Sequence, residues 1–237
     1  MSGRVGSITT EIIADGLIFN MDVANRASYP VQRTFLTSES GSCFNTLDLS
    51  QSGSLISDPT FIQSPTPNFE FDGVDDRIDT PAIDLGLENT ISFWAKRNGT
   101  NLNGMVWGGV FQSNYYVVYL NNSNQVLYRV GSGANSFTNI DIRTIIGTDA
   151  WFHCALVRNN SGADVLCYIN GVLRQTITGI VGSTDNTIVT NIGSRGPTPL
   201  DFEITGNISN TQLYNRALSS TEVLHNYNAL KGRFGLS

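Results

Sequence analysis

Phe69-Glu70-Phe71-Asp72-Gly73-Val74-Asp75-Asp76 is the stretch that decides how this chain folds. Phenylalanines alternate with carboxylates, the two-residue period of a strand with one face in a core. The Asp-Gly step then ends the run, because glycine permits the left-handed backbone of a tight corner. Glu70 and Asp72 share the face away from the phenylalanines. Such a strand could hold a calcium ion, carry a glycosidase pair, or make a corner and nothing more.

Short apolar runs of the same kind continue along the chain, separated by turn residues. Strands are expected at Leu17–Asp22, Phe69–Asp72, Arg77–Asp79, Ile91–Arg97, Met105–Phe111, Tyr115–Leu120 and Gln125–Val130. Further ones are expected at Phe137–Ile145, Trp151–Arg158, Asp164–Ile169, Val172–Ile177, Thr187–Ile192 and Ile204–Tyr214. Asn170-Gly171 is the clearest hairpin, since a type I′ turn needs positive φ at both central residues. Asn121–Asn124 makes a second. So many strands exceed one comfortable open sheet, so two packed sheets are expected. Residues 31–68, with Pro59, Pro65 and Pro67, read as a long surface loop holding at most one short strand.

One helix is specified near the end, at about 220–231. Ser219 and Glu222 form a capping box. Val223, Leu224, Tyr227 and Leu230 make its apolar face, and Gly232 is placed to end it in the left-handed conformation. The domain reading is an N-terminal arm over 1–15, then one domain over 16–237 that includes this helix. The arm is expected to be held by the same domain or by a partner chain.

Composition narrows the function. The formal charge of −6 and the lack of a cluster of Lys and Arg argue against nucleic acid. No run reaches the roughly 18 apolar residues of a membrane helix. The opening Met1–Ser7 lacks the basic-then-apolar pattern of a secretory leader, so the chain is expected to be made in the cytosol. Three cysteines are too few for a disulfide framework, so Cys154 and Cys167 are expected as free, buried thiols despite lying on neighbouring strands. Only His153 and His225 are present, far from zinc-protease spacing, and neither a P-loop nor a G-x-S-x-G elbow occurs. His153 reads as structural, His225 as surface or packing, and most of Trp94, Trp107, Trp151 and Tyr115-Tyr116 as core.

The carboxylates remain. Glu70 and Asp72, two apart on a strand, are in range of the roughly 5–5.5 Å separation of a retaining glycosidase. Gly73, however, turns the chain before the third carboxylate, Asp75. Asp72, Asp75 and Asp76 offer the hard oxygens that calcium prefers. Against both stands the plain corner, with Asp72 capping its own backbone.

Together these segments resemble the concanavalin A-like, laminin-G-type jelly rolls. The resemblance is carried by Phe69–Asp76, Thr90–Trp94, Trp151–Arg158, Tyr168–Val172 and Gly206–Ser219. It implies an all-β, two-sheet antiparallel jelly-roll sandwich with one C-terminal helix. It also implies a binding or interaction role without catalysis, and calcium in some members. The family usually has aspartate where this chain has Asn170, and acidic residues where it has Ser209 and Asn210. Gly16–Asp22, Ala24–Pro30, Tyr214–Ser219 and Asn226–Phe234 resemble virion proteins of marine tailed phages, cyanophages especially. That implies a non-enzymatic structural protein on the virion, as a head decoration or fibre. Its partners would be capsid, neck or tail proteins and further copies of itself. A carbohydrate-binding adhesin is the alternative, touching cell-surface glycan through the loops at 98–104 and 131–139. A glucanase using Glu70 and Asp72 is the lesser one. Asp72, Asp75 and Asp76 are the candidate calcium ligands; no other cofactor is expected.

Overall fold

The computed structural model describes residues 12–29, 41–98, 104–109, 116–121, 123, 125–130, 136–137, 141–159, 161–180, 190–194 and 202–237. In chain order the strands are β1 (Leu17–Asp22), β2 (Ser42–Phe44), β3 (Ser52–Ile56), β4 (Thr60–Ile62), β5 (Asn68–Asp72), β6 (Arg77–Thr80), β7 (Asn89–Arg97) and β8 (Gly104–Gly109). They continue as β9 (Tyr116–Leu120), β10 (Val126–Val130), β11 (Ser136–Phe137), β12 (Trp151–Asn159), β13 (Asp164–Ile169), β14 (Val172–Ile177), β15 (Thr190–Ile192) and β16 (Thr205–Tyr214). The helices are α1 (Arg143–Ile146) and α2 (Ser220–Leu230), the latter running into a 3₁₀ turn at Lys231–Phe234.

Two eight-stranded antiparallel sheets face each other. The first runs β14-β13-β12-β7-β16-β5-β4; β1 shares with β5 one edge of the long β16, Thr205–Ile208 pairing with β5 and Asn210–Tyr214 with β1. The second runs β11-β10-β9-β8-β15-β6-β3-β2. The core between them takes alternate residues from each strand: Phe69 and Phe71, Ile91 and Phe93, Phe152, Cys154 and Leu156, Val126 and Tyr128. This is the expected two-sheet sandwich.

Several turns form as their residues dictate. Asn170 and Gly171 take φ of 52° and 76° between paired Ile169 and Val172. Asn121 Oδ1 accepts from the N–H of Ser123 and of Gln125, closing the β9–β10 hairpin. At α2 the Ser219 Oγ accepts from Glu222 N–H at 3.3 Å, and Glu222 Oε2 accepts from Ser219 N–H at 2.8 Å.

Other expectations are corrected. Within 31–68 lie three strands, β2, β3 and β4, where at most one was expected. In β3 the inward positions are Gly53 and Leu55, and a Cβ on Gly53 would meet Ile78 at 2.7 Å, so only one buried position of the strand carries an apolar side chain and the period is too short to read. Residues 137–145 are not one strand: β11 ends at Phe137, and α1 begins at Arg143, whose N–H donates to Asp141 Oδ1. Gly232 does not terminate the helix. The chain tightens into the 3₁₀ turn and stops at Gly235, whose φ is 71°. Leu224 is 43% exposed, and the buried positions of α2 are Val223, Asn226 and Leu230.

The C-terminal segment covers the outer face of the first sheet around Trp94. Trp94, fully buried, stacks on Phe234 at 3.9 Å and 5° and lies near-parallel to Tyr227 at 5.8 Å. Arg233 grips Asp22 of β1 with two bonds of 2.6 and 3.0 Å. Asn226 Oδ1 accepts from Ile13 N–H, its Nδ2 donates to the Tyr214 hydroxyl, and that hydroxyl donates to Ile13 C=O. Residues 12–15 are thus strapped to the same domain; the remainder of the expected arm, 1–11, lies outside the described residues.

His153 lies beneath this cover, 5.3 Å from the Trp94 ring, with Ser92 Oγ 2.9 Å from its Nε2. Burial pushes its pKa down to about 3, so the imidazole stays neutral in the folded chain. The unfolded chain binds that proton near pH 6.5, so stability falls as pH drops below 6.5 towards 3. This site alone predicts a loss of about 2 kcal/mol between pH 7.5 and pH 5. Urea melts of the native chain and His153→Gln should show that extra acid sensitivity in the former only.

Candidate functional site

The corner after β5 carries the chain from one sheet to the other, and the carboxylates of the sequence argument converge there. Gly73 adopts φ of 80°, with Thr205 directly against the position a Cβ would fill. Asp72 Oδ1 accepts from Val74 N–H at 2.8 Å, the self-capping turn its type favours. Asp76, folded back and buried, accepts from Asp72 N–H at 2.9 Å through Oδ2.

Asp72, Asp75 and Asp76 each place one carboxylate oxygen within 4.8 Å of the others. The cost of this crowding shows at Asp76. Desolvation, then the charges of Asp72, Asp75 and Asp58, raise its pKa to about 6 despite the backbone bond from Asp72 that opposes the rise. The folded state therefore holds this proton more tightly than the unfolded one. Its contribution to stability declines as pH rises from about 3.8 to 6, opposite in sign to that of His153.

These hard, crowded oxygens fit a divalent cation. Ca²⁺ would be held by Asp72, Asp75 and Asp76, with water completing its shell. The three neutral departures lie elsewhere. Asn170 Oδ1 accepts from His153 N–H, Ser209 Oγ donates to Pro67 C=O, and Asn210 sits opposite Trp94 and Asp22, whereas Asp72 sits opposite Thr205. None of them subtracts a ligand from the corner.

The catalytic-pair arrangement is only half built. Glu70 and Asp72 share the outer face of β5, and Glu70 Oε1 accepts from Asn98 Nδ2 at 3.3 Å. Asp72 is the last residue of its strand, and beyond Gly73 the third carboxylate leaves the strand line.

The tryptophans separate. Trp94 and Trp107 are wholly buried, while Trp151 is half-buried at the start of β12. The side chains of Tyr115 and Tyr116, and most of the loops at 98–104 and 131–139, lie outside the described residues. The three cysteines are free and buried, with burial raising the Cys43 and Cys154 thiols. His225, on an exposed position of α2, is remote from this corner in sequence and element. Asn226 was missed altogether: nothing in a helix's period distinguishes a buried amide from a surface one. No helix among the described residues is long and apolar enough to cross a membrane.

Comparison with known proteins agrees with this architecture. Residues 72–224 match the family described as the concanavalin A-like lectin/glucanases superfamily. No curated protein sequence matches the chain. Among solved structures it is similar to the binding domain of paraclostridial mosquitocidal protein 1, with TM-score 0.69 and 13% identity over 93% of this chain and 55% of that one. It is similar to the botulinum neurotoxin type G receptor binding domain, with TM-score 0.63 and 14% identity over 90% and 51%. It is also similar to a Trypanosoma rangeli sialidase, with TM-score 0.62 and 13% identity over 92% and 33%. The chain spans about half the length of the two binding domains and a third of the sialidase. With a family match over 72–224 of its 237 residues and the two-sheet fold to accompany it, the chain belongs to the concanavalin A-like lectin/glucanases superfamily.

Proposed function

We propose that this chain is a non-enzymatic recognition module that binds cell-surface glycan and is displayed in several copies on a phage particle. One observation carries the binding role. Nine-tenths of the chain takes the fold of domains named for receptor binding, while its best carboxylate pair ends at a turn. Another similar structure is a botulinum neurotoxin DC binding domain in complex with SialylT, which supports a sugar as the class of ligand. The particle setting rests on the sequence resemblance of Gly16–Asp22 and Tyr214–Ser219 to virion proteins of marine tailed phages. Mass spectrometry of purified particles is expected to find the chain as a component joined to capsid, neck or tail proteins. Its absence from them would remove the virion half of the proposal and leave glycan binding to stand on its own test.

The corner at Asp72–Asp76 is proposed to hold Ca²⁺. At the affinity of weak extracellular modules, about 10⁻⁴–10⁻³ M, roughly 10 mM Ca²⁺ should add about 1–3 kcal/mol of stability. Asp75 makes no hydrogen bond or ion pair among the described residues, so Asp75→Asn should abolish this gain without harming the turn. Thermal melts with Ca²⁺ and with chelator measure it, and equal melting temperatures in the native chain would refute the site.

A further inference from the structure

Strand register aligns one row of outward side chains across five strands of the first sheet. Thr60 of β4 pairs with Glu70 of β5, Glu70 with Asn207 of β16, Asn207 with Lys96 of β7, and Lys96 with Trp151 of β12. At the spacing of paired strands the row is about 19 Å long, the span of an oligosaccharide rather than a single ring.

Its groups differ in what they have already spent. Asn207 is buried, with its amide committed at both ends: Nδ2 donates to Asn68 Oδ1, and Oδ1 accepts from Asn98 Nδ2. The same Asn98 amide orients Glu70. Lys96 is half-buried and forms no ion pair among the described residues. Glu70 cannot serve it directly, because Asn207 stands between them and the two strands are about 10 Å apart. Thr60 is exposed, and the half-buried Trp151 ring leans on Phe234 at 5.0 Å. The C-terminal segment therefore flanks the row at Trp151, and the acidic corner begins at Asp72, the next outward position along β5.

We infer that this row is the saccharide-binding surface, and that its ligand is an uncharged oligosaccharide of three or four units lying across the strands. The inference rests on the glycan-binding reading above. The indole supplies an apolar platform for the carbon face of a sugar ring. Glu70 accepts from hydroxyls while Lys96 and Thr60 donate to them. The formal charges of the row cancel, so it matches a neutral ligand, although the chain as a whole carries −6.

The test uses the full chain on an array holding neutral and sialylated glycans, followed by calorimetry with malto-, cello-, laminari- and chitotetraose. The expected result is neutral-glycan binding and affinity for at least one tetraose. That affinity should fall at least tenfold in Trp151→Ala and about fivefold in Lys96→Ala and Glu70→Gln. Ser54→Ala, on the exposed outer side of the second sheet, should bind as the native chain does. Unchanged thermal melts of Lys96→Ala and Glu70→Gln keep loss of binding distinct from loss of fold. Binding that survives the row substitutions, or binding of sialylated glycans alone, overturns the row and leaves the broader reading intact. An array blank for the native chain overturns both.

Discussion

Gly193→Ala is expected to destabilise the native chain by about 3–4 kcal/mol, a large share of the stability of a marginal domain. Two penalties coincide at this position. Gly193 has φ of 97°, where an L side chain is strained, and its Cβ would lie 2.5 Å from the Phe71 ring. Phe71 is itself 1% exposed and cannot swing away without opening the core beside Phe69. The same Cβ would stand 3.3 Å from the Asp76 carbonyl, so the acidic corner is pressed from beneath. A urea-induced unfolding curve measures the effect. A change under 1 kcal/mol would mean that Phe71 does not lock the corner against the end of β15.

Trp94→Ala is expected to cost about 4–6 kcal/mol, combining the loss of a large buried ring with the loss of its stacked partners. The ring lies between β7 and the C-terminal segment, against Phe234, Tyr227 and His153. Its removal should do more than lower the midpoint. It should release Lys231–Phe234 and with it the flank of the row at Trp151. Limited proteolysis of Trp94→Ala should cut within residues 231–237 under conditions that leave the native chain intact. Resistance equal to that of the native chain would show that Asp22–Arg233 and the Asn226 strap hold the segment unaided.

The strands that carried the family resemblance were legible because their inward residues are large and alternate in the sequence. Phe69 and Phe71, Ile91 and Phe93, and Phe152 and Cys154 are of this kind. The Asn170-Gly171 hairpin and the Ser219–Glu222 cap were legible because each needs particular residue types at fixed spacing. β3 was hidden because one of its two inward residues, Gly53, is a glycine in close approach to Ile78, which leaves Leu55 as the one buried apolar side chain. The helix end was misplaced because two glycines, Gly232 and Gly235, fit the local rule and only the 3₁₀ turn decides between them. Asp72, Asp75 and Asp76 could be grouped from the sequence since one turn holds them all. The row could not be. Of its five residues only Glu70 and Trp151 had been weighed, and the alignment of Thr60, Asn207 and Lys96 with them exists only in the pairing register.

The central claim is that the outer face of this jelly roll binds a saccharide and leaves it intact. The most direct measurement incubates the native chain with the glycan it retains from the array, then follows both complex formation and oligosaccharide length. The account predicts a saturable complex, weakened in Trp151→Ala, with the oligosaccharide recovered at its full length. Shortened products that disappear in Glu70→Gln would contradict it and make Glu70 and Asp72 a hydrolytic pair.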